Sequence, residues 1–87
     1  MTDYIDLYTL SDLERKIIKH IDDWAHIKNV PISKKNILKE MLRKKEQEKD
    51  IVDALEKLLR KRYIRVAITL LGQKQHSGLS YVLLRRI

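Results

Sequence analysis

Side chains able to do covalent or metal chemistry are few and scattered in this 87-residue chain. There is no cysteine, so disulfides and thiolate metal sites are excluded and packing alone must hold the fold. His20, His26 and His76 have no ligand spacing, and no second cluster brings carboxylates to metal geometry, so no metal is expected. Asp22-Asp23 reads as a solvated helix face rather than a catalytic dyad. There is no nucleophile–base arrangement, Gly-rich phosphate loop or P-loop lysine. A chain this short also has little room for a substrate pocket of roughly several hundred Å3. The expectation is therefore no enzyme, no cofactor and no small-molecule substrate.

What remains is charge. Nineteen Lys and Arg face 12 Asp and Glu, a formal net charge of +7. A balance of this size on one small domain bears on partners rather than on fold, and points to polyanions. Ser33-Lys34-Lys35 and Arg43-Lys44-Lys45 are local basic clusters. Charged residues make up 36% of the chain, a composition resembling thermophile proteins, which favour surface ion pairs. The lack of cysteine fits a reducing compartment, and no apolar run approaches the ~18 residues needed to span a membrane. Met1 to Leu10 holds Asp3 and Asp6 and no basic residue, unlike a signal peptide. A soluble, intracellular protein of the cytoplasm or nucleoid is expected.

The elements that must position these cations are marked by the few breaks, Pro31, Gly72 and Gly78. Ser11 and Glu14 form a capping box, and Leu13, Ile17, Ile18, Ile21, Trp24 and Ala25 make one helical stripe. Arg15, Lys16, Lys19, Asp22 and Asp23 lie outside it, and the helix should end near Ile27. Trp24 should be core, with Tyr63 and Tyr81 beside it. Val30-Pro31-Ile32 reads as an extended link. Ser33 then caps a second helix with Ile37, Leu38, Met41 and Leu42 on its apolar face. Arg43 to Asp50 is entirely polar. A third helix carries Ile51, Val52, Leu55, Leu58 and Leu59 on one side and ends near Arg62. A continuous helix from Lys34 to Arg62 would run ~44 Å, too long for a domain this small, so a break between the second and third helices is expected.

The period then changes to two. Tyr63 to Leu71 alternates as a strand, 72–78 is a loop, and Ser80 to Ile87 is a second strand, together an antiparallel hairpin. Tyr4 to Tyr8 alternates weakly and could be an edge strand, a dimer arm or a frayed tail. The division is residues 1–10 as an arm or edge strand and 11–87 as one α+β domain.

Helix, short link, helix, turn, helix and hairpin, with a Leu-rich stripe from Ile51 to Leu59, a basic turn Arg60-Lys61-Arg62 and then Tyr63-Ile64, resembles the winged helix-turn-helix family over Leu10 to Ile87. The resemblance implies a small winged helix, a three-helix core plus a C-terminal hairpin, that binds double-stranded DNA as a transcriptional regulator. By it the third helix would lie in the major groove, offering Gln47, Lys49, Asp53, Glu56, Lys57 and Arg60. Ser33, Lys34 and Lys35 would meet phosphate at the start of the second helix. Arg43, Lys44 and Lys45 would serve in the turn, and Gln73, Lys74, Gln75 and His76 would form the wing tip. A homodimer would read two half-sites, with Tyr4 to Leu10 and the outer hairpin as its surface.

Glu46, Glu48, Asp50 and Asp53 depart from that pattern, since carboxylates near phosphate are repelled. Two readings are open: Glu or Asp can accept from cytosine N4, or the acids complete i,i+4 pairs such as Lys49–Asp53, Asp53–Lys57 and Glu56–Arg60, at ~0.2–0.5 kcal/mol each. Winged helices also serve as protein–protein adaptors in replication, transcription and membrane-remodelling assemblies. In that alternative the acidic start of the third helix and Ala67, Leu71 and Leu83 would form the interface. Single-strand or RNA binding would need stacking platforms, and only Tyr63 and Tyr81 are placed for that.

Overall fold

A computed structural model describes residues 4–67 and 80–86. Helix α1 spans Asp12–Lys28, strand β1 Ile32–Ser33, helix α2 Lys34–Arg43, helix α3 Glu48–Arg60, strand β2 Ile64–Ala67 and strand β3 Ser80–Leu83. The Cα radius of gyration is 12.6 Å.

The local signals explain where α1 and α2 begin. Ser11 accepts from the Glu14 N–H while the Glu14 carboxylate accepts from the Ser11 N–H at 2.8 Å, a reciprocal capping box. Ser33 caps α2 by accepting from the Asn36 N–H at 3.1 Å. Helix α1 closes on Asn29, whose left-handed backbone (φ 56°) an Asn tolerates better than most residues.

The expected break between α2 and α3 is present, and its mechanism is a Schellman motif built without glycine. Lys45 adopts φ 69°. Its N–H donates to the Leu42 carbonyl at 2.9 Å, and the Glu46 N–H donates back to Met41 at 3.1 Å. The same motif ends α3. Arg62 sits at φ 61°, its N–H on Leu59 and the Tyr63 N–H on Leu58. Helix α3 therefore begins at Glu48, a turn before its first apolar residue, Ile51, and its N-cap residue Gln47 makes no side-chain cap bond.

One core joins all these elements. Ile17, Ile18 and Ile21 of α1, Ile37 and Met41 of α2, and Ile51, Leu55 and Leu58 of α3 are buried against Ile32, Ile64 and Tyr81 of the sheet. Each such side chain contributes ~1.5–3 kcal/mol by leaving water. Trp24 is only partly buried at the edge of this core, with the Lys28 ammonium 5.7 Å from its ring. Ala25, expected on the stripe, is exposed, because the stripe has rotated off the core by the last turns of α1. Leu42 is exposed as well, in the last turn of α2, where no element among the described residues covers it.

The sheet is larger than a hairpin. Its order is β1-β3-β2, antiparallel throughout, with Ile32 opposite Tyr81 and Val66 opposite Tyr81 on the other side. The link at Val30-Pro31-Ile32 thus ends as a third strand. Two residues give no detectable alternation, so the sequence carried no strand signal there.

The N-terminal segment is tied down. The Ile5 N–H donates to the Arg86 carbonyl, Tyr4 bridges Arg86, and Leu7–Thr9 forms a 3-10 turn. Ile5 and Leu10 enter the chain's own core, so those two side chains are not available to a second copy, whereas Tyr4 and Tyr8 are exposed. Arg15 holds the turn to α1 by donating to the Leu7 and Leu10 carbonyls at 3.0 and 2.8 Å.

Candidate nucleic-acid interface

The cations singled out in the sequence are displayed by two helices and the turn joining them. Lys35, Arg43, Lys44, Lys45, Gln47, Lys49, Lys57 and Arg60 are all exposed, and Ser33 and Lys34 half-exposed. Gln73, Lys74 and His76 lie outside the described residues, as does the rest of the 68–79 segment.

Charge is not shared evenly between the helices. Helix α2 and its turn carry Lys34, Lys35, Lys39, Arg43, Lys44 and Lys45 against only Glu40 and Glu46. Helix α3 exposes Lys49, Lys57 and Arg60 among Glu48, Asp50, Asp53 and Glu56. The positive face is therefore that of α2 and the turn, while the outward face of α3 is mixed. Of the three i,i+4 pairs expected on α3, only Glu56–Arg60 is within reach, at 3.8 Å. Among the described residues no ion pair joins Lys49 to Asp53 or Asp53 to Lys57.

Several cations on the positive face are already engaged, weakly. Arg43 grips Glu40 with two hydrogen bonds, Nε to Oε1 at 3.1 Å and Nη2 to Oε2 at 2.8 Å. That bond holds the Glu40 carboxyl below its usual range and the Arg43 guanidinium above its own. Lys44 approaches the same carboxylate at 4.0 Å. Exposed pairs of this kind are worth little and are readily exchanged for a stronger anion. Lys34, Lys35 and Lys39 make no ion pair among the described residues, and Lys34 and Lys35 flank the first N–H groups of α2, where the helix dipole favours an anion.

The turn is fixed from behind. Lys16 of α1 donates to Glu46 at 2.8 Å, which raises the ammonium's pKa through that hydrogen bond and its charge. Glu14 is buried, with the Lys61 ammonium 3.9 Å from its second oxygen. Asp12, Glu14, Lys16, Glu46, Asp50, Asp53 and Lys57 line an open cleft of about 500 Å3 between α1 and α3. This carboxylate-rich cleft would repel a phosphate backbone from the α1 side.

Lys39, exposed on α2, is the cation of this face that sequence reasoning does not single out. Lys39 lies one helical turn beyond Lys35, so the i,i+4 rule could have found it. Among the described residues no group of three His, Asp or Glu side chains could hold a metal ion, and no helix is long and apolar enough to cross a membrane. Comparison with known protein families, with curated proteins and with solved structures finds no match for this chain.

Proposed function

We propose that this chain binds double-stranded DNA as a winged helix-turn-helix protein and acts in transcription regulation. The observation that carries the reading is the six-cation surface of α2 and its turn, set beside a helix whose end projects Lys57 and Arg60. The element order and the β1-β3-β2 sheet are compatible with a winged helix. In this reading Ser33, Lys34 and Lys35 meet one phosphate run, and Arg43, Lys44 and Lys45 another. Gln47, Lys49, Lys57 and Arg60 address the major groove, and Gln73, Lys74 and His76 the neighbouring backbone or minor groove. Asp50 and Asp53 line the α1 cleft and disfavour phosphate there, so the duplex meets the protein from the α2 side, and Lys57, which lines the same cleft, contributes less than Arg60.

The mixed charge of α3 favours a second reading, a winged-helix adaptor that binds protein through α3. Gel retardation against random duplex and random single strand, at two salt concentrations, separates the two. Duplex retardation that weakens with salt supports DNA binding. No retardation at low salt overturns it.

A further inference from the structure

The outer face of α2 holds an apolar patch whose Leu38 is partly packed against the core and whose Leu42 is exposed, bordered by lysines of which Lys34 and Lys35 are also assigned above to phosphate. Leu38 and Leu42 form its floor and Lys34, Lys35 and Lys39 its rim, and it is a shallow depression of about 560 Å3 open to solvent. Leu42 is 46% exposed although its spacing from Leu38 is that of a buried stripe. Phosphate has nothing to offer two leucines, so duplex binding does not explain them.

We propose that this face docks an acidic amphipathic helix of a partner protein, its apolar side chains on Leu38 and Leu42 and its flanking carboxylates on Lys34, Lys35 and Lys39. Charge complementarity around an apolar floor selects this occupant: the three ammonium groups lack ion pairs among the described residues, and a helix with apolar residues at i, i+3, i+4 and i+7 bordered by Glu or Asp matches both features. A second copy is disfavoured, because each chain carries +7 and would bring like charge to a lysine-rimmed surface. A membrane is disfavoured because two leucines offer far less apolar area than an interfacial helix inserts.

The test uses the full chain and a fluorescent synthetic peptide of about 18 residues, long enough to hold several helical turns. Its Leu residues are spaced i, i+3, i+4 and i+7 and its remaining positions are mainly Glu and Ala. Binding is followed by anisotropy and by backbone amide shifts. The expected result is saturable binding with shifts centred on Lys34–Arg43. L42S and K39E should each weaken the peptide by ~10-fold, and a scrambled peptide of equal composition should bind at least as weakly. L42S should leave duplex affinity unchanged, so failure of this proposal and failure of DNA binding read out separately. K39E, on an exposed position, covers the case in which L42S does not fold, and is read on the peptide alone because Lys39 belongs to the cationic surface assigned to DNA. Equal binding of the scrambled peptide, shifts away from α2, or indifference to both substitutions overturns the proposal. So would vesicles of phosphatidylserine that shift the α2 amides while the peptide does not, or self-association that buries α2.

Discussion

Lys16 of α1 donates to Glu46, thirty residues away in the chain, across 2.8 Å. This contact ties the turn between α2 and α3 to the first helix, beside the backbone bonds that close the turn itself and place the Arg43-Lys44-Lys45 cluster. Both partners are accessible to solvent, so the bond is sensitive to salt. In a double-mutant cycle, K16A and E46A should show favourable coupling that shrinks as salt rises to ~1 M. Amide exchange at residues 44–47 should quicken in either single variant. Strict additivity at low salt would show that the turn holds itself.

Two basic residues occupy left-handed backbone where glycine would relieve strain. Non-glycine residues there lose ~1–2 kcal/mol, partly offset because glycine loosens the unfolded chain. K45G and R62G should each raise stability by ~0.5–1 kcal/mol, read as a rise of several degrees in Tm. A fall in Tm would mean that the Lys45 or Arg62 side chain makes a compensating contact.

Two helical isoleucines should differ sharply in what their truncation costs. Ile51 is fully buried and Ile27 is 77% exposed. I51A should cost ~2–5 kcal/mol by leaving a cavity, enough to unfold much of a domain this small. I27A should stay within ~0.5 kcal/mol of the parent. Urea midpoints of the two variants check this directly.

His26 pairs with its own helix. The Asp22 carbonyl lies 2.8 Å from Nδ1 and, with the Asp22 carboxylate, holds the imidazolium pKa above its ordinary 6.5. A raised pKa means that protonation favours the folded state. The gain is complete below pH 6.5 and is lost as pH rises through the folded-state value. NMR titration should place the His26 midpoint above 6.5, and H26A should remove a small decline in stability above that pH. A midpoint at or below 6.5 contradicts the assignment.

Much of this architecture could be read from the residues. The Ser11–Glu14 capping box, the Ser33 cap and the isoleucine stripe of α1 carry strong periodic signals, and each element formed where those signals lie. The break after Arg43 was expected only because one long helix could not pack. Its cause, Lys45 in a left-handed conformation, leaves no mark in composition because no glycine is used. Strand β1 escaped because Ile32 and Ser33 are too few to alternate and their pairing with β3 is non-local. The site was legible as residue types but not as a balance. Helical spacing placed Lys57 and Arg60 outward. Only the packed structure shows that Asp50, Asp53 and Lys57 share a cleft with Asp12 and Glu46, leaving α2 as the positive face.

The central claim is that the cations of α2 and its turn neutralise duplex phosphates. Its most direct test is duplex affinity measured against salt for the parent chain and for K34A, K35A, K44A and K45A. With about six phosphates engaged, log K should fall with log salt at a slope of roughly −5, and each substitution should lessen the slope by ~0.9. A slope near zero, or one that all four substitutions leave intact, would contradict it.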